Sequence, residues 1–326
     1  MKLAFIIDQL EAIKIQKDSS YAMMREAASR NHEIYIIHQE DLIWRDGAVV
    51  SFSTRLTITE NSGNERDWYQ TDDKITMPLN AFDAVLMRKD PPFNMEYIYS
   101  TYLLELAEQQ GAYIINSPRS IRDFNEKLAI TKFPQFIPPT LVTRQEPLII
   151  EFLQQHKDII LKPLDSMGGA SIFRVHETDH NVNVILETMT HYGTRTIMAQ
   201  RFIPEITEGD KRILLIAGKP TPYSLARIPR PGETRGNLNT GGTGVARPLS
   251  KNDKKIAETL GPELMNQGLM LVGLDVIGDC LTEINVTSPT GMQEIYNQTG
   301  FNVAGMMIDA IAENNDRVCA SNLHPQ

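Results

Sequence analysis

Asp275, Glu283 and Asn285 are oxygen-bearing residues within one short, otherwise apolar stretch of the chain, 273–287. The stretch reads as two strands joined by a tight turn. In its second half polar and apolar residues alternate, so Glu283 and Asn285 share one face and Ile284 and Val286 the other. Two such side chains, with a third carboxylate one strand away, suit a hard divalent cation. Mg²⁺ takes a few carboxylate or amide oxygens and completes its shell with water and nucleotide phosphates; Mn²⁺ is an alternative occupant. The set requires Asp275 to face the same way as Glu283. A two-residue turn at Gly278-Asp279 would pair Asp275 with Thr282 and turn it away. An odd-length loop centred on Asp279 pairs Asp275 with Glu283, and that loop is the expectation. The competing reading of the same spacing is an ordinary hairpin with a solvated polar face.

The elements that position this stretch belong to a chain of 326 residues, long enough for two or three lobes and a sizeable core. Its 41% apolar and 22% charged residues describe a soluble globular protein. The net charge is −9 and no basic run or basic-aromatic patch occurs, which argues against nucleic acid as a partner. Anions must then be met by local Arg, Lys and backbone N–H groups. Cys280 and Cys319 are the two cysteines, without metal-type spacing and too few for a disulfide framework. The apolar run 3–7 is too short for a signal peptide, and no segment is long enough to span a membrane. A reducing cytoplasm is the expected location.

In order, the chain begins with a strand at 3–7, a helix from about Tyr21 capped by Asp18 or a serine, and a strand at 33–38. Strand, helix and strand with short links start a parallel α/β layer. The dinucleotide fingerprint G-x-G-x-x-G is absent from the first link. A hairpin is expected over 47–59 and a surface loop over 61–76. The strand 84–87 runs into Arg88-Lys89-Asp90-Pro91-Pro92, two cations at the strand end where open α/β sheets bind ligands. A charged loop tip is the alternative. A helix at 97–109 and a strand at 112–116 follow, then Ser117-Pro118 as N-cap and first helical residue.

Beyond a proline-marked connection at 134–139, a helix is expected at 148–156 and a strand at 158–163 that ends in Lys162-Pro163. The next residues, Met167-Gly168-Gly169-Ala170-Ser171, lead into a strand at 172–175. Their small side chains let backbone N–H groups approach an anion, and a mobile hairpin lid over a triphosphate fits. No P-loop motif occurs. After a helix at 182–190, the strand 196–204 ends in a linker-like segment able to offer backbone groups to an adenine edge. Strands at 210–216 and 223–228 precede a loop rich in Gly and Pro, 229–247, too long for a plain connection and suited to a lid. Helices are expected at 254–267 and 303–312, with a polar, frayed tail after that.

Several stretches, in this order, resemble the ATP-grasp enzymes, and within them the bacterial type of glutathione synthetase. They are Lys17-Asp18-Ser19-Ser20, Leu86-Met87-Arg88-Lys89-Asp90-Pro91-Pro92-Phe93, Asn125-Glu126-Lys127 and Ile160-Leu161-Lys162-Pro163-Leu164. The series continues through 167–175, Gly209-Asp210-Lys211-Arg212, Leu225-Ala226-Arg227-Ile228-Pro229, 232–238 and 281–289. The likeness covers nearly all of the chain to about Ala312. It implies an α/β fold, with α+β character in the ATP-grasp part: an N-terminal parallel-sheet domain (1–122), a central lid domain (123–203) and a C-terminal catalytic domain (204–326). It implies ATP-driven joining of γ-glutamylcysteine to glycine through an acyl phosphate, giving ADP and phosphate, in a homo-oligomer, a tetramer. By this likeness Lys127, Lys162, Gly168, Gly169, Gln200, Ile203 and Asp210 bind ATP, and Asp275, Glu283 and Asn285 hold magnesium. Arg212 and Arg235 take catalytic roles, and Arg88, Arg227 and Arg235 serve the peptide substrate. Pro231 and Thr243 stand where that family's lid loop often has a glycine and a basic residue, and Gly291 replaces a bulkier residue.

The chemistry so implied needs no side-chain nucleophile. Its barrier lies in bringing a carboxylate and a γ-phosphate together, which positioned cations lower. Two alternatives share some of these residues: an ATP-grasp ligase for another acid and amine, and a nucleotide-binding regulator that does not turn over.

Overall fold

The computed structural model describes the chain except residues 60–67, 234, 237, 239, 240 and 323–326, and the side chains of 316–322. The first sheet contains β1 (Lys2–Ile6), β2 (Glu33–Ile37), β3 (Leu42–Arg45), β4 (Ala48–Ile58), β5 (Tyr69–Thr71), β6 (Ile75–Pro78), β7 (Ala84–Met87) and β8 (Ile114–Ile115). Its order is β3-β4-β2-β1-β7-β8, with β5 and β6 also on β4. The β2-β1-β7-β8 part is parallel. Alternation sends Leu3 and Phe5 to one face and Ala4 and Ile6 to the other, each into its own core. The first face is covered by α1 (Ser19–Ser29), whose first turn is capped by Asp18 Oδ1 accepting from Tyr21 N at 2.8 Å. The second is covered by α2 (Met95–Gln109), capped by Asn94.

After α3 (Pro118–Asp123) comes a second, antiparallel sheet of order β11-β10-β12-β9, from β9 (Thr140–Thr143), β10 (Asp158–Pro163), β11 (Phe173–His176) and β12 (Ile197–Arg201). Two helices, α4 (Glu146–His156) and α5 (Val182–Thr190), bury Ile159, Leu161, Ile197 and Ala199 on one face. Period two then puts Ile160, Lys162 and Gln200 on the opposite face.

The third sheet, β15-β14-β13-β16-β17, comprises β13 (Asp210–Ile216), β14 (Lys219–Ile228), β15 (Thr243–Pro248), β16 (Leu271–Ile277) and β17 (Cys280–Asn285). Its Ile213 and Leu215 pack on α6 (Lys251–Asn266), while Leu214 and Ile216 join the core under the first sheet with α7 (Met292–Thr299) and α8 (Val303–Asn322). Asn116 ties the two sheets. Its side chain donates to Leu271 O at 2.8 Å and Val286 O at 2.9 Å and accepts from Leu271 N at 2.9 Å. No helix among the described residues is long and apolar enough to cross a membrane.

Several expected elements differ. Gly47 is a turn with φ 85° that joins β3 to β4 as a hairpin, and 48–58, expected to be a hairpin in itself, is one continuous strand that pairs with four others. The part of the expected surface loop that is described carries β5 and β6; residues 61–67 lie outside the described residues. The proline-rich connection leads into β9, and the last five residues of the expected lid loop lie in β15, held by β14. Sequence reasoning missed α7. The last helix continues past Ala312 to Asn322, because its polar residues are compatible with helix.

Candidate active site

The β16–β17 ribbon brings Asp275 opposite Glu283 and Gly273 opposite Asn285, so the three oxygen donors share one face. The expected face is correct and the expected turn is not. Gly278 and Asp279 form a two-residue turn that pairs Ile277 with Cys280 and Val276 with Leu281. A β-bulge at Thr282 then restores the register, and Thr282 Oγ1 donates to Asp275 O at 3.1 Å. The bulged residue supplies the odd offset assigned to the loop.

β13 adds two charged residues to the same face. Arg212 lies directly opposite Asp275, and Asp210 directly opposite Arg227 of β14. Arg212 Nε and a second guanidinium nitrogen donate to the two Asp275 oxygens at 2.5 and 3.0 Å. Arg227 reaches Asp275 Oδ2 at 2.8 Å and Asp210 Oδ2 at 2.5 Å. Burial alone would push the Asp275 carboxyl up. The charges of Arg212 and Arg227, with their hydrogen bonds, overcome it and hold the group well below the usual carboxylate range. Gly273 makes room for this packing, since a Cβ there would sit 2.8 Å from both Arg212 Cδ and Pro289 Cβ.

Asp210 behaves in the opposite sense. Burial pushes its pKa up to about 6, with Arg227 pulling down and Asp275 and Glu283 pushing further up. Its Oδ1 is buried without a hydrogen-bond partner. The folded pKa exceeds the unfolded one. This stability term is therefore fully present below the unfolded pKa and is lost as pH rises through about 6. Asp210→Asn is expected to raise the urea midpoint of the ligand-free protein at pH 8 and to leave it unchanged at pH 4. Midpoints measured at both pH values check this.

Across the cleft, the second sheet presents Lys162, Ile160 and Gln200, all lining the cavity with Asp210, Arg212, Asp275, Glu283 and Asn285. Burial lowers the pKa of Lys162; the Glu283 charge opposes this and Lys127 adds to it. Lys127 donates to Ser166 O at 2.5 Å and lies 3.9 Å from Glu283. Gly168 and Gly169, with φ of 64° and 80°, form the lid turn after β10. Phe202 and Ile203 line the cavity where β12 ends. Arg235 also lines it, paired with Glu233 at 2.7 Å and donating to Gly169 O at 3.5 Å, so the two glycine-rich loops meet. Asn237 lies outside the described residues.

A second cavity opens off the first. Both share Glu126, Met167, Gly168, Arg212 and Asn285, and Arg227 lines the second alone. Arg88 sits elsewhere than expected. The residue is 5% exposed and lines neither cavity, and its guanidinium donates to Ser20 Oγ, Thr287 O and Pro289 O at 3.1, 3.3 and 3.0 Å. It holds the 287–289 loop from behind.

The donor set fits a hard cation. Asn285 Nδ2 donates to Gly273 O at 3.2 Å, which leaves its Oδ1 for the cavity, and among the described residues Glu283 has only the distant Lys127 contact. Among the described residues no three His, Cys, Asp or Glu side chains are grouped to hold a metal ion by themselves.

Sequence reasoning missed the role of Glu126. Its carbonyl accepts from Ile284 N at 2.8 Å, and its Oε1 accepts from Val286 N, Thr287 N and Thr287 Oγ1 at 3.1, 3.3 and 2.9 Å. These bonds flank Asn285 on the free edge of β17 and come from the residue before Lys127. No periodicity signals a contact across 160 residues; the only hint was the Asn125-Glu126-Lys127 stretch. Glu126→Ala is expected to raise the Mg²⁺ concentration for half-maximal activity about tenfold or more, with Glu126→Gln near normal because an amide oxygen can accept the same bonds. Metal titrations of both variants check this.

The same architecture occurs in D-cycloserine synthetase DcsG, with a TM-score of 0.68 over 97% of this chain and 100% of that one at 12% identity. It also occurs in the ATP-grasp ligase PsnB, whose structure is a complex with minimal precursor, Mg and ADP, with a TM-score of 0.61 over 97% and 98% at 14% identity. The fold is that of the ATP-grasp ligases. Residues 1–122 match the family model of the prokaryotic glutathione synthetase N-terminal domain, and 126–300 that of its ATP-grasp domain. The chain is 69% identical over 314 residues to glutathione synthetase of Nitrosomonas europaea, covering 96% of this chain and 98% of that one. It belongs to the prokaryotic glutathione synthetase family.

Proposed function

We propose that this chain activates the cysteinyl carboxylate of γ-glutamylcysteine with ATP and joins the resulting acyl phosphate to glycine, releasing ADP and phosphate. One observation carries the reading: a cavity walled by Lys127, Lys162 and the 275/283/285 oxygens continues, past Arg212, into a second cavity with room for an acid. The backbone of 200–203 offers edges to adenine, and the partnerless Asp210 oxygen accepts a hydroxyl or cation-bound water of the nucleotide. Lys127, Lys162 and the Gly168-Gly169 turn hold the phosphates. A divalent cation on Asp275, Glu283 and Asn285, Mg²⁺ by preference and Mn²⁺ as a substitute, supplies charge neutralisation between phosphate and carboxylate.

Arg212 and Arg227 are fixed in position by Asp275 and Asp210, so they meet developing charge without reorganising. The Arg235 contact with Gly169 closes both loops over the acyl phosphate and excludes water. The proposed lobes are 1–122, 123–203 and 204–326, and the proposed working form is a cytoplasmic homo-oligomer, a tetramer. ADP release measured over a panel of acids and amines tests the reaction. Turnover that requires both γ-glutamylcysteine and glycine, with little for D-alanine or glutamate as acceptor, supports it; equal turnover with other pairs overturns it.

A further inference from the structure

The second cavity carries charge of both signs. Arg212 borders both cavities, whereas Arg227 and Asp90 line the part that the nucleotide cavity does not share. Asp90 is rigidly presented. Its N–H donates to Asp8 Oδ2 at 3.0 Å, its carbonyl accepts from Lys89 Nζ at 3.0 Å, and the Ser288 hydroxyl donates to its Oδ1.

Asp90 is exposed, and among the described residues its Oδ2 takes no hydrogen bond and pairs with no cation. The two neighbouring cations are committed elsewhere: Arg88 to Ser20, Thr287 and Pro289, and Lys89 to Asp8 Oδ1 at 2.6 Å. Desolvation holds the Asp90 carboxyl above the usual range, with the Ser288 hydroxyl and Arg88 pulling the other way. An exposed carboxylate in the wall of a substrate cavity, with one oxygen fixed by Ser288 and no counterion among the described residues, offers a charge-assisted hydrogen bond to a cation that arrives with the substrate.

We propose that Asp90, aimed by Ser288, is the subsite for the α-ammonium group of the acid substrate and selects acids that carry one. This rests on the reaction proposed above. In γ-glutamylcysteine that ammonium lies at the end farthest from the reacting carboxylate, and Asp90 lines the second cavity and not the first. Neither Arg212 nor Arg227 can serve it, being of like charge.

The test compares γ-glutamylcysteine with glutaryl-cysteine, which lacks only the amino group, in wild type, Asp90→Asn and Ser288→Ala. Glycine and ATP are saturating. Loss of one charge-assisted hydrogen bond is expected to cost about 10- to 100-fold in kcat/KM. Wild type should prefer γ-glutamylcysteine by that factor. Asp90→Asn should lose the preference by falling on γ-glutamylcysteine alone, with KM for ATP within about twofold as the check on folding. Ser288→Ala should lose part of it. An equal fall on both peptides, or a preference that survives Asp90→Asn, overturns the subsite while leaving the reaction in place. Absence of wild-type turnover with γ-glutamylcysteine and glycine overturns the reaction itself, and the subsite with it.

Discussion

Glu283→Gln is expected to lower kcat by about 100- to 1,000-fold, the scale of losing one preorganised electrostatic contact to the transition state. The fold should be unaffected. Glu283 keeps 21% of its side-chain surface exposed, and its nearest cation, Lys127, is 3.9 Å away, so an amide of the same shape replaces it without a packing defect. The loss should fall on turnover and on the metal requirement. KM for ATP should change little, because Lys127 and Lys162 remain to hold phosphate. Steady-state kinetics at several Mg²⁺ concentrations, with a thermal melt, separate these effects. Near-normal turnover at ordinary Mg²⁺ would remove Glu283 from the metal site.

Asp275→Asn is expected to act on stability as well. Asp275 is 3% exposed and takes hydrogen bonds from two buried guanidinium groups. Removing its charge leaves Arg212 without an anionic partner and Arg227 with Asp210 alone. Breaking a buried pair by deleting one member costs roughly 3–5 kcal/mol, because the surviving charge stays desolvated. The urea midpoint of the ligand-free protein should fall, and activity should fall with it. An unchanged midpoint would mean that the arginines find solvent or other acceptors. The contrast between two ligands of one proposed ion is the informative part: Glu283 is poised for function at little structural expense, whereas Asp275 is also the centre of a buried ionic network.

The sequence exposed what depends on local periodicity. The parallel start at 3–7 and 33–38, the strand ending in Lys162, and the shared face of Glu283 and Asn285 all follow from alternation, and the structure has them. Features that depend on partners distant in the chain were not legible. The bulge at Thr282 has no local signature, so the correct facing of Asp275 was derived from a turn that does not exist. β15 was hidden in a glycine-rich loop because its strand character comes from pairing with β14. Arg88 looked like a cavity residue because it ends a strand; its burial behind the 287–289 loop depends on residues 200 positions away. The ionic network of Arg212, Arg227, Asp210 and Asp275 required the cross-strand register of three strands, which no single stretch contains.

The central claim is that the β16–β17 ribbon holds a divalent ion between nucleotide phosphate and substrate carboxylate. Anomalous diffraction from crystals grown with Mn²⁺ and a non-hydrolysable ATP analogue tests it most directly. The account predicts a manganese peak bonded to the side-chain oxygens of Asp275, Glu283 and Asn285, with the phosphates against Lys127 and Lys162. A peak elsewhere in the cleft, with those oxygens still facing an empty cavity, would contradict it.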